Sequence, residues 1–158
     1  MYSTDLDGDM NMDVLSASIG GGKIVWYENT DGQGTFGGDQ IIISVNDARS
    51  VFSFDVDGDG DMDVLSGFSS SVVWSENLDG NGNFGSYQTI SSLAAGVNEV
   101  FASDIDGDGD MDVLSSSAWT DGSKIAWYEN LHPLAIQDNL QSSFSLYPNP
   151  VQETLPRN

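Results

Sequence analysis

The chain contains no cysteine, so disulfide staples and thiolate metal sites are excluded, although the compartment is left open. Its one histidine, His132, stands beside Pro133 with no catalytic partner in the sequence, and no enzyme is expected. Basic residues are almost as scarce. Lys23, Arg49, Lys124 and Arg157 are scattered among 25 acids, and the formal net charge is −21. A surface this acidic repels polyanions, so neither nucleic acid nor an anionic membrane is expected as a partner. No run of 18 apolar residues is present, which argues against membrane insertion. Met1-Tyr-Ser-Thr-Asp5 has no basic segment followed by an apolar one, so a secretory leader is not expected here. The chain reads as a piece of a longer protein.

What the chain does have is concentrated. With 158 residues, 39% of them apolar, it has enough material for one ordinary domain. Fourteen of the 25 acids fall in three nonapeptides. These read Asp5-Leu-Asp7-Gly-Asp9-Met-Asn11-Met-Asp13, Asp55-Val-Asp57-Gly-Asp59-Gly-Asp61-Met-Asp63 and Asp104-Ile-Asp106-Gly-Asp108-Gly-Asp110-Met-Asp112. Carboxylates packed this densely repel one another unless a cation lies among them. Calcium takes six to eight oxygens, mixing carboxylates with backbone carbonyls. Alternating Asp at loop positions 1, 3 and 5, a carbonyl at 7 and a closing Asp at 9 would supply that set. The candidate ligands are Asp5, Asp7, Asp9, Asn11 and Asp13; Asp55, Asp57, Asp59, Asp61 and Asp63; and Asp104, Asp106, Asp108, Asp110 and Asp112. Two to three Ca2+ ions are expected. Glycine at Gly58 and Gly60 lets the chain turn tightly around an ion. Met10 occupies the place of Gly60, so the first loop is expected to be the weakest or most distorted. An EF-hand is rejected, because position 12 is Ser16, Ser66 or Ser115 rather than Glu and the flanks are β-branched and aromatic.

The loops recur at intervals of 50 and 49 residues, and the rest of the chain repeats with them. Met-Asp-Val-Leu-Ser follows each loop. A Trp-centred stretch comes next: Ile24-Val-Trp26-Tyr-Glu28-Asn29, Val72-Val-Trp74-Ser-Glu76-Asn77 and Ile125-Ala-Trp127-Tyr-Glu129-Asn130. A glycine-rich turn then ends in Phe36-Gly37 or Phe84-Gly85, followed by Gln40–Ser44 or Tyr87–Ser91. Four short strands in about 49 residues is the size of one propeller blade. Continuous apolar runs such as Ile41-Ile-Ile43 suit a sheet buried on both faces. The expected fold is therefore all-β, with blades of four antiparallel strands. Helix is not expected outside a short stretch near residues 134–141. The units span about 1–48, 49–97 and 98–131. The first begins only four residues before its loop, and the third lacks a Phe-Gly turn and a fourth strand. Because propellers close with four to eight blades, the missing blades are expected from a longer parent chain or from self-association.

The Asp-rich loop between strands and the recurring Phe-Gly turn resemble the FG-GAP/VCBS family of calcium-binding β-propeller repeats, which includes the headpiece repeats of integrin α chains. The resemblance covers residues 1–131. It implies calcium in the three loops, a ring that is commonly seven-bladed, and an extracellular or cell-surface setting. It also implies adhesion to, or binding of, an unknown protein or glycan ligand. The alternative is a non-catalytic carbohydrate-binding accessory module of a secreted polysaccharide-degrading enzyme. Residues 132–142 read as a linker. Residues 143–158, with Leu146-Tyr-Pro-Asn-Pro150, resemble the opening of the C-terminal sorting domain of type IX secretion.

Repetition weighs against chemistry at the remaining polar and aromatic positions. Glu28, Glu76 and Glu129 recur in every unit and read as structural, with Glu-Asn at a strand end able to bond a neighbouring backbone. Trp26, Trp74 and Trp127 share one repeat position and read as core between blades rather than as sugar-stacking platforms. Trp119 lies outside the repeat, in an expected turn spanning Ala118–Gly122. It is the single candidate for an exposed ligand contact.

Overall fold

Each unit alternates short β-branched and aromatic stretches with turns rich in Gly, Asn and Asp, and each stretch pairs with the next one along the chain. The computed structural model describes residues 1–92, 94, 96–119, 122–131 and 144–147, with 119, 122, 123 and 144–147 described as backbone alone. β1 (Tyr2–Thr4), β2 (Asp13–Ser18), β3 (Lys23–Tyr27) and β4 (Gln40–Ser44) form the first sheet. β5 (Ser50–Phe54), β6 (Asp63–Gly67), β7 (Val72–Ser75) and β8 (Gln88–Ser91) form the second. β9 (Val97–Ser103), β10 (Asp112–Trp119), β11 (Gly122–Asn130) and β12 (Phe144–Tyr147) form the third. All three are antiparallel meanders in chain order. The described residues contain no helix, and residues 134–141 lie outside them.

Two expectations are corrected. The first unit does have an opening strand: Tyr2, Ser3 and Thr4 pair with Leu15, Val14 and Asp13. Three residues suffice because the acidic turn that follows pins the hairpin. The third unit also has a fourth strand. Phe144–Tyr147 pairs with β11, placing Tyr147 opposite Trp127 and Phe144 opposite Asn130. Phe144–Tyr147, within the stretch that resembles a sorting domain, supplies the fourth strand of the third sheet.

The sheets pack face to face, and residue size differs systematically between their two sides. The side of the first sheet facing the second carries Leu15, Ile24, Trp26 and Ile43. These meet Val51, Val64 and Val73 of the second sheet. The second sheet in turn presents Leu65, Val72, Trp74 and Ile90 to Val100, Ala102, Val113 and Tyr128 of the third. One face of each sheet is thus built from large side chains, and the other mainly from Val, Ala and Ser. Large residues fill the depressions above small ones, which gives dense packing without strain. Because both faces of a middle sheet are covered, its strands read as continuous apolar runs. The first strands lie beside one another, joined by an aromatic ladder. Tyr2 and Phe52 lie 4.6 Å apart between ring centroids, and Phe52 and Phe101 4.8 Å.

Candidate metal centres

The three acidic nonapeptides connect the first two strands of each sheet, where a tight reversal must satisfy many backbone N–H groups. The carboxylates do this first. Asp13, Asp63 and Asp112 open β2, β6 and β10 and are buried. One oxygen of each accepts the N–H of loop position 2: Leu6 at 3.1 Å, Val56 at 3.0 Å and Ile105 at 3.0 Å. The other accepts the N–H of the asparagine ending the Trp stretch: Asn29 at 2.8 Å, Asn77 at 2.8 Å and Asn130 at 2.9 Å. Position 1 caps the turn. Asp5 accepts from Gly8 and Met10, Asp55 from Gly58 and Gly60, and Asp104 from Gly107. Asp9, Asp59 and Asp108 at position 5 accept the N–H of position 7.

These bonds gather oxygens on the inside of each turn. Carboxylate oxygens of Asp5, Asp7 and Asp13 lie within 4.8 Å of one another, as do those of Asp55, Asp57 and Asp63 and those of Asp104, Asp106 and Asp108. In the first two loops positions 1, 3 and 9 converge, and in the third positions 1, 3 and 5. One ion bonded at about 2.3–2.6 Å can bridge oxygens this far apart. The electrostatics favour a cation. Burial pushes the Asp63 carboxyl up to about 8, against the two N–H bonds that hold it down. Burial and then the charge of Asp59 raise Asp57, and burial raises Asp7. Asp110 is also raised, by burial and then by Asp108, and its Oδ1 is buried with no hydrogen-bond partner. Desolvated carboxylates that resist ionisation are stabilised by a positive charge at close range. An all-oxygen set of carboxylates suits a hard cation such as Ca2+ rather than a transition metal.

The first loop is not distorted. Its hydrogen bonds match those of the second, and Met10 takes the place of Gly60 by adopting φ +69, against +99 at Gly60. A left-handed residue with a Cβ costs about 1–2 kcal/mol. The loop therefore keeps its shape at the expense of local strain.

The glycine-rich turn after the Trp strand closes on the acidic loop of its own sheet. Gly37 N–H donates to the Glu28 carbonyl and Gly85 N–H to the Glu76 carbonyl, both at 2.8 Å. Asn29 and Asn77 bridge to Phe36 and Phe84. The repeated loop, Trp strand and Phe-Gly turn match the FG-GAP-like repeat over residues 5–66 and again over 55–115. The chain belongs to the FG-GAP-like repeat family. No match is found among curated proteins. The overlapping matches span two loops each, which is the interval between successive FG-GAP-like units here.

The asparagines hold a feature that sequence reasoning did not isolate. Asn77 Nδ2 donates to the Leu6 carbonyl of the first sheet at 2.9 Å. Asn130 Nδ2 donates likewise to the Val56 carbonyl of the second sheet at 2.9 Å. Each asparagine therefore ties the loop of its own sheet to the loop of the preceding one. The repeated Glu-Asn pair was the available signal, but its partner lies about 70 residues away. The glutamates also add to the field. Glu28 repels Asp7 and Glu76 repels Asp57, each contributing to the raised carboxyl. Trp26 and Trp74 are buried between sheets, as the core reading expects, while Trp127 on the third sheet is half-buried. Trp119 is not in a turn. It is the last residue of β10, paired with Gly122, and its side chain lies outside the described residues.

Proposed function

We propose that this chain is a calcium-stabilised β-propeller module of an extracellular or cell-surface protein, serving ligand binding or adhesion rather than catalysis. The carrying observation is the convergence of three carboxylates in each of the three turns, which in the second turn includes the buried, charge-averse Asp63. Bound calcium would supply charge neutralisation to Asp5, Asp7 and Asp13 and to their counterparts. The chain's own residues do the rest. Asp13, Asp63 and Asp112 fix each turn to its sheet, and the N–H caps on Asp5, Asp55 and Asp104 orient their oxygens. Any ion that binds the folded turn and not the unfolded chain adds its binding energy to folding. The remaining proposed ligands, Asp9, Asn11, Asp59, Asp61, Asp110 and Asp112, lie in the same turns.

Membership of a repeat family that serves recognition supports the adhesive reading, and the clustered carboxylates are engaged with backbone rather than paired for acid–base work. Trp119, the last residue of β10, is the proposed ligand contact. The likeness of residues 143–158 to a type IX sorting signal supports export to the surface. Calorimetric titration of EDTA-stripped protein with calcium, using magnesium as control, tests the reading. Two or three calcium-selective sites and a higher melting temperature are expected, with one site lost in Asp57→Asn. Absence of calcium binding, or a stoichiometry unchanged in that variant, would overturn it.

A further inference from the structure

The large-residue face that is sealed in the first two sheets lies open in the third. Ile24 and Val72 are 0% exposed, whereas the matching Ile125 is 74% exposed. Leu6 and Val56 are each 1% exposed, whereas Ile105 is 46% exposed. Phe101, the end of the aromatic ladder, is 52% exposed. Around these residues runs an open, mainly apolar groove of about 260 Å³ lined by Glu99, Phe101, Leu114, Ser116 and Ile125. Exposed apolar surface of this kind marks an interaction site.

The fold itself shows what fits such a face. Twice within this chain it is covered by the small-residue face of another sheet. Among the described residues no sheet packs on the same face of the first sheet, where Val25 of the central strand is buried and the residues around it are half-buried or exposed. Ser3, Val14, Ser16 and Tyr27 stand where the third sheet has Ala102, Val113, Ser115 and Tyr128, all buried against the second. Ser3 is exposed, while its counterparts Ser53 and Ala102 are 3% and 1% exposed. We propose that the open face of the third sheet docks the small-residue face of the first sheet of a second copy, giving a head-to-tail assembly. Tyr2 of the incoming copy would then continue the Tyr2–Phe52–Phe101 ladder. Asn29, which donates to the Met12 carbonyl of its own loop, would reach the Ile105 carbonyl of the other copy, as Asn77 reaches Leu6 and Asn130 reaches Val56. A contact of this type uses two different patches and is heterologous, so it propagates until it closes.

Sedimentation and light scattering across a concentration series, with calcium present, test this directly. The wild-type chain is expected to self-associate. Ile125→Asp and Ser3→Arg alter exposed residues on opposite faces, so each variant is expected to keep the wild-type circular dichroism and to be monomeric alone. Mixed together they are expected to form one-to-one dimers and nothing larger, because one intact face of each kind remains. Ile125→Ser provides a second, milder block if the aspartate disturbs the strand. A wild-type monomer at every concentration would overturn the proposal and assign the face to a different partner. So would variants that still associate alone, or a mixture that stays monomeric.

Discussion

The second and third sheets have nearly the same sequence pattern and opposite surroundings. Leu65 and Leu114 occupy one repeat position in matching strands, yet Leu65 is fully buried under a neighbouring sheet and Leu114 is only half-buried beside an open groove. A repeat does not carry its own stability. The same side chain is core or surface according to whether another repeat covers it.

Matched substitutions sharpen this contrast. Leu65→Ala is expected to cost about 2–5 kcal/mol, as for large-to-small changes in a sealed core. Leu114→Ala is expected to cost about 1 kcal/mol. Chemical denaturation of the two variants measures the difference, and equal losses would mean that the third sheet is covered as the second is. Next in size is the contact between the first two sheets. A Cβ on Gly82, at φ +77, would lie 2.6 Å from Cζ2 of Trp26. Gly82→Ala is therefore expected to cost about 1–3 kcal/mol through overpacking and backbone strain. Gly58 has φ +80 but nothing near its Cβ position, so Gly58→Ala isolates the backbone part alone.

A pH-dependent effect distinguishes the second loop. The Asp63 carboxyl rises from its ordinary 3.8 to about 8 in the folded chain. The fold therefore favours its protonated form. That contribution is fully present below 3.8 and is lost as pH rises through 8. The EDTA-stripped protein is expected to melt at lower temperature across that rise, Asp63→Asn to flatten the dependence, and calcium to oppose it. Thermal melts at several pH values read all three. Smallest is Met10→Gly, expected to gain about 0.5–1 kcal/mol by releasing a left-handed residue, offset by glycine's greater freedom when unfolded. An unchanged melt would mean that the first loop carries no strain.

Much of this was legible in the chain. The alternating aspartates announce the turns, and Ser at position 12 with β-branched flanks separates them from an EF-hand. Their spacing announces the sheets. The ends were harder to read. β1 is three residues long, too short for a period to appear. β12 follows β11 at a distance of 14 residues without the Phe-Gly turn that links the other last strands, so its pairing has no local sign. Within the turns, the residue types were readable but the division of labour was not. Asp7, Asp9, Asp57 and Asp59 all accept backbone N–H groups, but only Asp7 and Asp57 also converge with Asp5 and Asp13 or Asp55 and Asp63. That choice depends on the path of the chain, not on residue identity. The large-against-small asymmetry of the faces was also hidden, because both faces are apolar and only their pairing distinguishes them.

The asparagine bridges have a consequence for how the molecule comes apart. Asn77 receives its orientation from Asp63 in its own sheet and gives a hydrogen bond to Leu6 in the preceding one. Asn130 repeats the arrangement between the next two sheets. The first and second turns are therefore each held by two sheets at once. Loosening one turn releases the grip of its asparagine on the neighbour upstream, so a local failure travels in a defined direction along the stack. The protein should behave less like three independent units than like a row of dominoes, with ordering and melting passed from sheet to sheet.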